Sequence, residues 1–109
     1  MNIDYIKNRI KNKDDIHLIE KAFDFANLKL SGLYYSEDET LINHVLGIIN
    51  TLIDFNADTS TLISCLLYET IKNGVSKEEI EREFGLDISN IAFNSSIISV
   101  DNLIQDDEN

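Results

Sequence analysis

Residues 41–55 read LINHVLGIINTLIDF, and their apolar positions recur with the period of an α-helix. The positions on this stripe are Leu41, Ile42, Val45, Leu46, Ile49, Leu52 and Ile53. A stripe of this width covers more of a helix than one narrow face, which is typical of a helix with protein on several sides. We therefore predict a central, buried helix that ends around Phe55 and Asn56.

The segments before this run show the same periodicity. The stripe in the first one consists of Ile3, Ile6 and Ile10. Lysines and an arginine lie between and after these positions, so residues 1–13 are predicted to form a short amphipathic helical arm. A second helix is expected to begin with Asp14 or Asp15 as its N-cap and to end near Gly32.

A loop and a fourth helix are predicted on either side of the central run. Residues 33–38 have no helical period and become acidic toward the next helix, where negative charge complements the helix dipole. After the central helix, Asp58 or Ser60 can cap a helix that ends at Gly74. This region therefore connects the second, third and fourth helices through short links.

Two shorter helices follow. Ser76 opens the sequence SKEE, a capping box, and the helix that it begins is expected to stop at Gly85. The last helix is predicted to run from an Asp87 cap through Ile98. The acidic residues 101–109 are expected to form a frayed tail.

The chain of 109 residues contains no proline and four glycines, so the residues that usually interrupt helices are scarce. No segment alternates with the period of a strand. One domain with one core is expected at this length. We predict an all-α fold, a compact bundle of five to six helices over residues 14–100. Its expected core includes Phe23, Ile42, Leu46, Ile49, Leu66, Leu67 and Phe84.

The charge balance excludes one class of partner. Lys and Arg number 9 and Asp and Glu number 20, giving a net charge of −11 with neutral histidines. Such a chain repels phosphate backbones, so we expect no nucleic acid partner. No signal peptide and no long apolar run are recognisable, so we expect no membrane association. The single cysteine, Cys65, cannot form an internal disulfide, and we expect a reduced, cytoplasmic protein.

Five segments carry a family resemblance: LIEKAFDFA at 18–26, SGLYY at 31–35, LINH at 41–44, CLLYE at 65–69 and KEEIEREFG at 77–85. In this order and spacing they resemble the HD hydrolase domain of RelA/SpoT-type (p)ppGpp synthetase/hydrolases. The spacing from Gly32 through His44 to the fourth segment fits without gaps. The resemblance implies an HD-domain-like helical bundle and a link to (p)ppGpp and the stringent response.

The resemblance also implies a metal site, because HD hydrolases use imidazole and carboxylate ligands to hold a divalent ion that activates water. His44 stands at the first metal-binding histidine. The family's His-Asp pair is replaced by Tyr68 and Glu69, and a phenol is a poor ligand at neutral pH. The family's last metal-binding aspartate lies on a helix after the end of this chain. Two remaining ligands, His44 and Glu69, do not hold a catalytic ion.

Further positions depart from the family pattern. Lys72 and Asn73 stand where the family has a Glu-Asp pair that activates and orients water, and Tyr35 replaces an arginine that contacts the base. The vestigial pocket is therefore predicted to consist of Tyr35, His44, Tyr68, Glu69, Lys72 and Asn73. Between the third and fourth helices we expect a metal-free polar cluster. Its members are His44, Tyr68, Glu69 and Lys72.

Ordinary structural roles compete with these assignments. A histidine on an apolar helix is usually satisfied by local hydrogen bonds, and positions 68–73 are equally compatible with a solvated helix surface. Cys65 has no histidine near it in the sequence, so we expect a buried, inert thiol. Tyr34 and Tyr35 could stack on a base, although a loop tyrosine more often covers the edge of a core.

These observations favour a catalytically degenerate HD domain that acts as a binding or regulatory module, with no catalytic residue, metal or cofactor. Two alternatives stay open. One is a metal-dependent guanosine polyphosphate or nucleotide pyrophosphohydrolase that is completed by residues of a partner chain. The other is a structural interaction protein that docks through its N-terminal helix. The partner classes under consideration are another protein, a second copy of this chain and a small nucleotide.

Overall fold

The computed structural model describes the backbone of residues 3–97 and the side chains of residues 3–94. In this part of the chain the structure has six helices, and the all-α prediction is confirmed. They are α1 (Asp4–Asn8), α2 (Lys13–Lys29), α3 (Leu41–Asp54), α4 (Thr59–Lys72), α5 (Lys77–Phe84) and α6 (Leu86–Ile97). The predicted end of the last helix at Ile98 and the acidic tail lie outside the described residues. Between residues 3 and 97, no helix has the length and apolarity needed to cross a membrane.

Side-chain caps explain where most of these helices begin. The Oγ1 of Thr40, a carboxylate oxygen of Asp58 and the Oγ of Ser76 each accept a hydrogen bond from the backbone N–H three residues later. The predicted caps at Asp58 and Ser76 are therefore confirmed. At α2, however, the cap is Asn12, whose Oδ1 accepts from the backbone N–H of Asp15 at 3.1 Å.

Two of the predicted caps are wrong for related reasons. Asp14 and Asp15 lie inside the first turn of α2, where their carboxylates complement the helix dipole rather than cap it. Asp87 likewise lies in the first turn of α6, which begins at Leu86 directly after Gly85. Gly85 joins α5 to α6 without a linker because its φ of +91° is a conformation that favours glycine.

The core centres on α4, which packs against α2, α3 and α6. The sequence predicted α3 as the central helix, and this is wrong. Both helices bury a broad apolar stripe, but the stripe of α4 meets three neighbouring helices. Four of the seven predicted core residues are fully buried: Leu46, Ile49, Leu66 and Leu67. The other three are partly buried and pack against that core: Phe23, Ile42 and Phe84.

The N-terminal arm packs within the chain. Ile6 is 1% exposed, and Ile3 and Ile10 are partly buried against the core. One carboxylate oxygen of Asp54, at the end of α3, accepts hydrogen bonds from the Tyr5 hydroxyl and the Arg9 guanidinium, both at 2.7 Å. The apolar stripe of the arm therefore packs against its own chain, and docking of this arm on a partner stays a prediction.

Candidate functional site

A cavity of about 450 Å³ lies between α3 and α4 under the loop that precedes α3. It contains all six residues that the family resemblance singled out: Tyr35, His44, Tyr68, Glu69, Lys72 and Asn73. Its remaining walls are four apolar or weakly polar side chains, which are Leu41, Val45, Ile48 and Cys65. The structure thus brings the predicted residues together, while their role as the remnant of a catalytic site stays a prediction.

Helical spacing explains why these side chains meet. The α3 residues that line the cavity are three or four positions apart, as are those of α4, so each set occupies one face of its helix. The link between the two helices is only four residues long, and Asn56 in it has a φ of +62°. Links this short often join antiparallel helices, and the lining of one cavity by the first turn of α3 and the last turn of α4 fits that arrangement. The first turn of α3 therefore lies beside the last turn of α4.

The His44 imidazole is held on two sides by the loop before α3. The rings of His44 and Tyr35 are stacked, with centroids 3.5 Å apart and planes 6° apart. The Nδ1 of His44 lies 3.1 Å from Oε1 of Glu39. Because a carboxylate oxygen accepts hydrogen bonds, we assign the donor role in this contact to the Nδ1–H of His44 and the acceptor role to Oε1 of Glu39. This matches the expectation that local hydrogen bonds satisfy His44.

Glu39 is a site residue that sequence analysis missed. It belongs to the acidic run 37–39, which we interpreted only through its effect on the helix dipole. The loop folds back so that the backbone carbonyl of Glu39 accepts from the N–H of Tyr35 at 2.9 Å. This turn places the Glu39 carboxylate beside His44, five residues further along the chain. The available signal was an acidic residue five positions before the only histidine on α3.

The last turn of α4 carries an ion pair. The Nζ of Lys72 lies 3.6 Å from Oε1 of Glu69 and 5.4 Å from the centroid of the Tyr68 ring. The Glu69 side chain is 13% exposed and that of Lys72 is 39% exposed. The carboxylate is thus nearly enclosed, while the ammonium reaches it from the rim of the cavity.

Asn73 has a structural role that was not predicted. Its Nδ2 donates to the backbone carbonyl of Glu69 at 2.8 Å, and its own N–H also bonds to that carbonyl, so this residue closes the C-terminus of α4. The amide lines the cavity, but its recorded bond goes to the end of the helix.

Cys65 forms part of the apolar wall. Burial, with a smaller effect from the nearby charge of Glu69, raises the pKa of the Cys65 thiol to about 12. At neutral pH the sulfur is therefore a protonated thiol and a poor nucleophile. This agrees with the expected inert cysteine, and the side chain is partly rather than fully buried.

A second cavity, of about 590 Å³, lies where residues 9–12 meet the α3–α4 link. Three of its polar side chains already have structural partners. Asn12 and Asp58 cap α2 and α4, and Arg9 pairs with Asp54 at 2.7 Å. None of the residues that the resemblance singled out lies there. The smaller cavity between α3 and α4 is therefore the candidate functional site.

Comparisons with known proteins agree with the resemblance. The sequence profile of the HD domain family matches residues 22–107. The chain is 25% identical over 80 residues to a probable GTP pyrophosphokinase of Mycobacterium leprae, covering 72% of this chain and 10% of that protein. It is 25% identical over 68 residues to the bifunctional (p)ppGpp synthase/hydrolase RelA of Mycobacterium tuberculosis, covering 62% of this chain and 9% of that protein.

The chain thus spans about a tenth of the length of the curated relatives it matches. No solved structure matches it. The profile match covers most of the chain and includes α3, α4 and both sides of the cavity between them. On this ground the predicted resemblance to the RelA/SpoT family is confirmed at the level of distant similarity, and the chain belongs to the HD domain family.

Proposed function

We propose that this HD domain is a binding or regulatory module without metal-dependent hydrolase activity. The observation that carries the proposal is the ammonium of Lys72, 3.6 Å from the carboxylate of Glu69, a residue that the family resemblance matches to a metal ligand. According to this proposal, the Lys72 ammonium supplies the positive charge beside Glu69 that a metal ion supplies in the family.

The electrostatics of the pair support this proposal. Enclosing a carboxylate without a counter-charge is costly, and Lys72 supplies that charge to Glu69. A divalent ion bound to Glu69 would face the same ammonium. Two unit charges about 4 Å apart interact by roughly 4 kcal/mol at an effective dielectric constant of about 20. A metal ion would therefore have to displace Lys72 before it could bind.

The donor set supports the proposal as well. Within residues 3–94, no three side chains of His, Cys, Asp and Glu are grouped so that they could hold a metal ion. Of the two donors that match the family pattern, His44 and Glu69, Glu69 already pairs with the cation Lys72. Since a catalytic ion needs at least three well-placed protein ligands, the side chains of the described residues 3–94 do not fit it.

One observation favours the alternative of a hydrolase that is completed by a partner chain. His44 and Glu69 line the same cavity, so a partner chain that supplied further carboxylates could complete a hydrolase site. The relative from Mycobacterium tuberculosis is a (p)ppGpp synthase/hydrolase. This alternative predicts a pyrophosphohydrolase whose specific activity rises with protein concentration. A second copy of the chain, another protein and a small nucleotide all stay open as partners.

A hydrolysis assay separates the two proposals. The purified protein is incubated with (p)ppGpp and manganese over a wide range of protein concentration, with the Mycobacterium tuberculosis relative as the positive control. We expect no release of pyrophosphate above the protein-free blank. Manganese-dependent release that is lost in a His44→Ala variant would overturn the proposal, and a dependence on protein concentration would support the partner-completed hydrolase.

A further inference from the structure

The cavity between α3 and α4 is apolar at one end and polar at the other. Because the two helices are antiparallel, Ile48 of α3 and Cys65 of α4 both lie toward the link between the helices. Lys72 and Asn73 lie at the opposite end, beside the start of α3. The protonated thiol of Cys65 belongs to the apolar end. A ligand that fits this cavity has an apolar body and a polar group at one end.

The size and the aromatic walls describe the apolar body. A volume of about 450 Å³ lies within the range of about 300–1,000 Å³ that is typical of small-molecule sites. The ring of Tyr68 lines one side, and the stacked rings of Tyr35 and His44 line another. Aromatic rings pack well against other planar rings. A planar ring system is therefore a suitable apolar body.

The charged side chains at the polar end of the cavity indicate which polar group a ligand would carry there. At the polar end the Glu69 carboxylate balances the ammonium of Lys72, and Glu39, which does not line the cavity, lies 3.1 Å from the His44 imidazole, so this end carries no excess of positive charge. An anionic ligand would compete with Glu69 for Lys72 and would leave a nearly enclosed carboxylate without its counter-charge. The net charge of −11 adds a general repulsion of anions.

A cationic ligand group, in contrast, would be attracted by the Glu69 carboxylate. Lys72 is 39% exposed, so its flexible side chain can turn toward water while a ligand amine takes its place at Glu69. The Tyr68 ring already has an ammonium 5.4 Å from its centroid, and such a ring face attracts a cation. The site is thus arranged so that one amine can replace another.

We infer that this cavity binds a small molecule with a planar apolar body and a single protonated amine, the amine pairing with Glu69 in place of Lys72. The inference rests on the proposed binding function and names its ligand class. It predicts a preference for one positive charge over a neutral group, and for a neutral group over a negative charge.

The composition of the chain allows a direct test. The protein has no tryptophan, so the fluorescence of an indole probe can be followed without a tryptophan background. Three probes share the indole body and differ in the end group: tryptamine, tryptophol and indole-3-propionate. We expect tryptamine to bind about tenfold or more tightly than tryptophol, since charge-assisted hydrogen bonds are the stronger ones, and indole-3-propionate to bind most weakly.

Two variants locate the amine. Glu69→Gln keeps the shape of the side chain and is expected to remove the preference for tryptamine over tryptophol, while the affinity for tryptophol stays within about twofold. Lys72→Met removes the competing ammonium and is expected to strengthen tryptamine binding by about twofold to fivefold. Glu81→Gln, at an exposed carboxylate on α5, is the matched control and should preserve the full preference. Circular dichroism establishes that each variant is folded.

The outcomes are distinct. Saturable binding with the predicted order of the three probes, lost in Glu69→Gln alone, supports the inference. Equal or tighter binding of the carboxylate, retention of the preference in Glu69→Gln, or no binding of any probe overturns it. Manganese-dependent (p)ppGpp hydrolysis in the same protein sample would overturn the proposed function, whichever probe binds. Without such hydrolysis, a wrong ligand class leaves the proposed function standing.

Discussion

The side chain of His44 is held in place by its neighbours in the loop before α3, through a stacked Tyr35 ring and a hydrogen bond to Glu39. The nearby Glu69 carboxylate has Lys72 as its cationic neighbour. Each of the two residues that match metal-ligand positions of the family therefore already interacts with a charged side chain. The Glu69–Lys72 pair is the reason that substitutions at positions 68 and 69 toward the family pattern are not expected to restore its chemistry.

A double substitution tests this point. Tyr68→His with Glu69→Asp restores the His-Asp pair of the family, but the Lys72 ammonium remains in the cavity and repels a divalent ion. We expect no manganese binding and no (p)ppGpp hydrolysis in this variant. The control is the same double variant with Lys72→Glu added. Metal binding after the first two changes alone would mean that the ammonium is not the obstacle.

The stability of the core depends on individual residues of α4. Leu66 is fully buried, so Leu66→Ala is expected to lower the free energy of unfolding by about 2–5 kcal/mol. Leu28 on α2 is 73% exposed, and Leu28→Ala should change it by no more than about 0.5 kcal/mol. Urea unfolding of both variants measures the difference. A loss below about 1 kcal/mol for Leu66→Ala would place this residue outside the core.

At the scale of the helices, α4 is the element on which both the core and the candidate site depend, and Asp58 caps it. Hydrogen bonds from the Thr61 side chain and backbone N–H hold the pKa of Asp58 below its ordinary value of 3.8. A lowered pKa means that the charged cap stabilises the folded state at pH values above 3.8. That contribution is lost as the pH falls through the lowered pKa of the folded state.

Two variants of this cap separate its hydrogen bond from its charge. Asp58→Ala should cost about 0.5–2 kcal/mol at neutral pH because the N–H of Thr61 loses its acceptor. Asp58→Asn keeps an acceptor without the charge. The difference in melting temperature between the parent protein and Asp58→Asn should therefore shrink as the pH falls below 3.8. Ser60→Ala, in the same turn, is the control, and a pH-independent difference would contradict this role of the charge.

Two glycines in helical regions are expected to respond in opposite ways to alanine. Gly47 lies within α3 with nothing near the position of an added Cβ, so Gly47→Ala should stabilise the fold by about 0.5–1 kcal/mol. Gly85 has a φ of +91°, so Gly85→Ala should destabilise the junction between α5 and α6 by about 1 kcal/mol or more. Thermal unfolding measures both changes, and a shift of the same sign in the two variants would contradict the assigned backbone conformations.

For the whole molecule, the helices could be predicted from the sequence because apolar periodicity is a local property, whereas the members of the candidate site were predicted from the family resemblance. Which helix is central could not be predicted, since the stripe of α3 does not reveal how many neighbours it meets. The cap at Asn12 was missed because Asp14 and Asp15 favour the same helix start through the dipole. Glu39 was missed because only the folded loop brings it to His44.

The net charge of −11 acts on the whole molecule and bears on any ligand with several phosphate groups. It disfavours such a ligand in the cavity between α3 and α4, where Lys72 already lies close to a carboxylate. Binding of a small nucleotide, one of the partners under consideration, is therefore disfavoured both by the Glu69–Lys72 pair in the cavity and by the net negative charge of the chain. A divalent ion could offset this effect by bridging phosphates and protein carboxylates, so metal binding is the property on which the whole account depends.

The most direct test is a manganese titration followed by the ring resonances of the two histidines in an NMR spectrum. His17 is 79% exposed on α2 and serves as the internal reference for His44 in the cavity. With Lys72 in the place of a metal ion, both histidine resonances should broaden only slightly and to a similar extent at one equivalent of manganese. Selective loss of the His44 resonance at one equivalent would show a metal bound between α3 and α4 and would contradict the account.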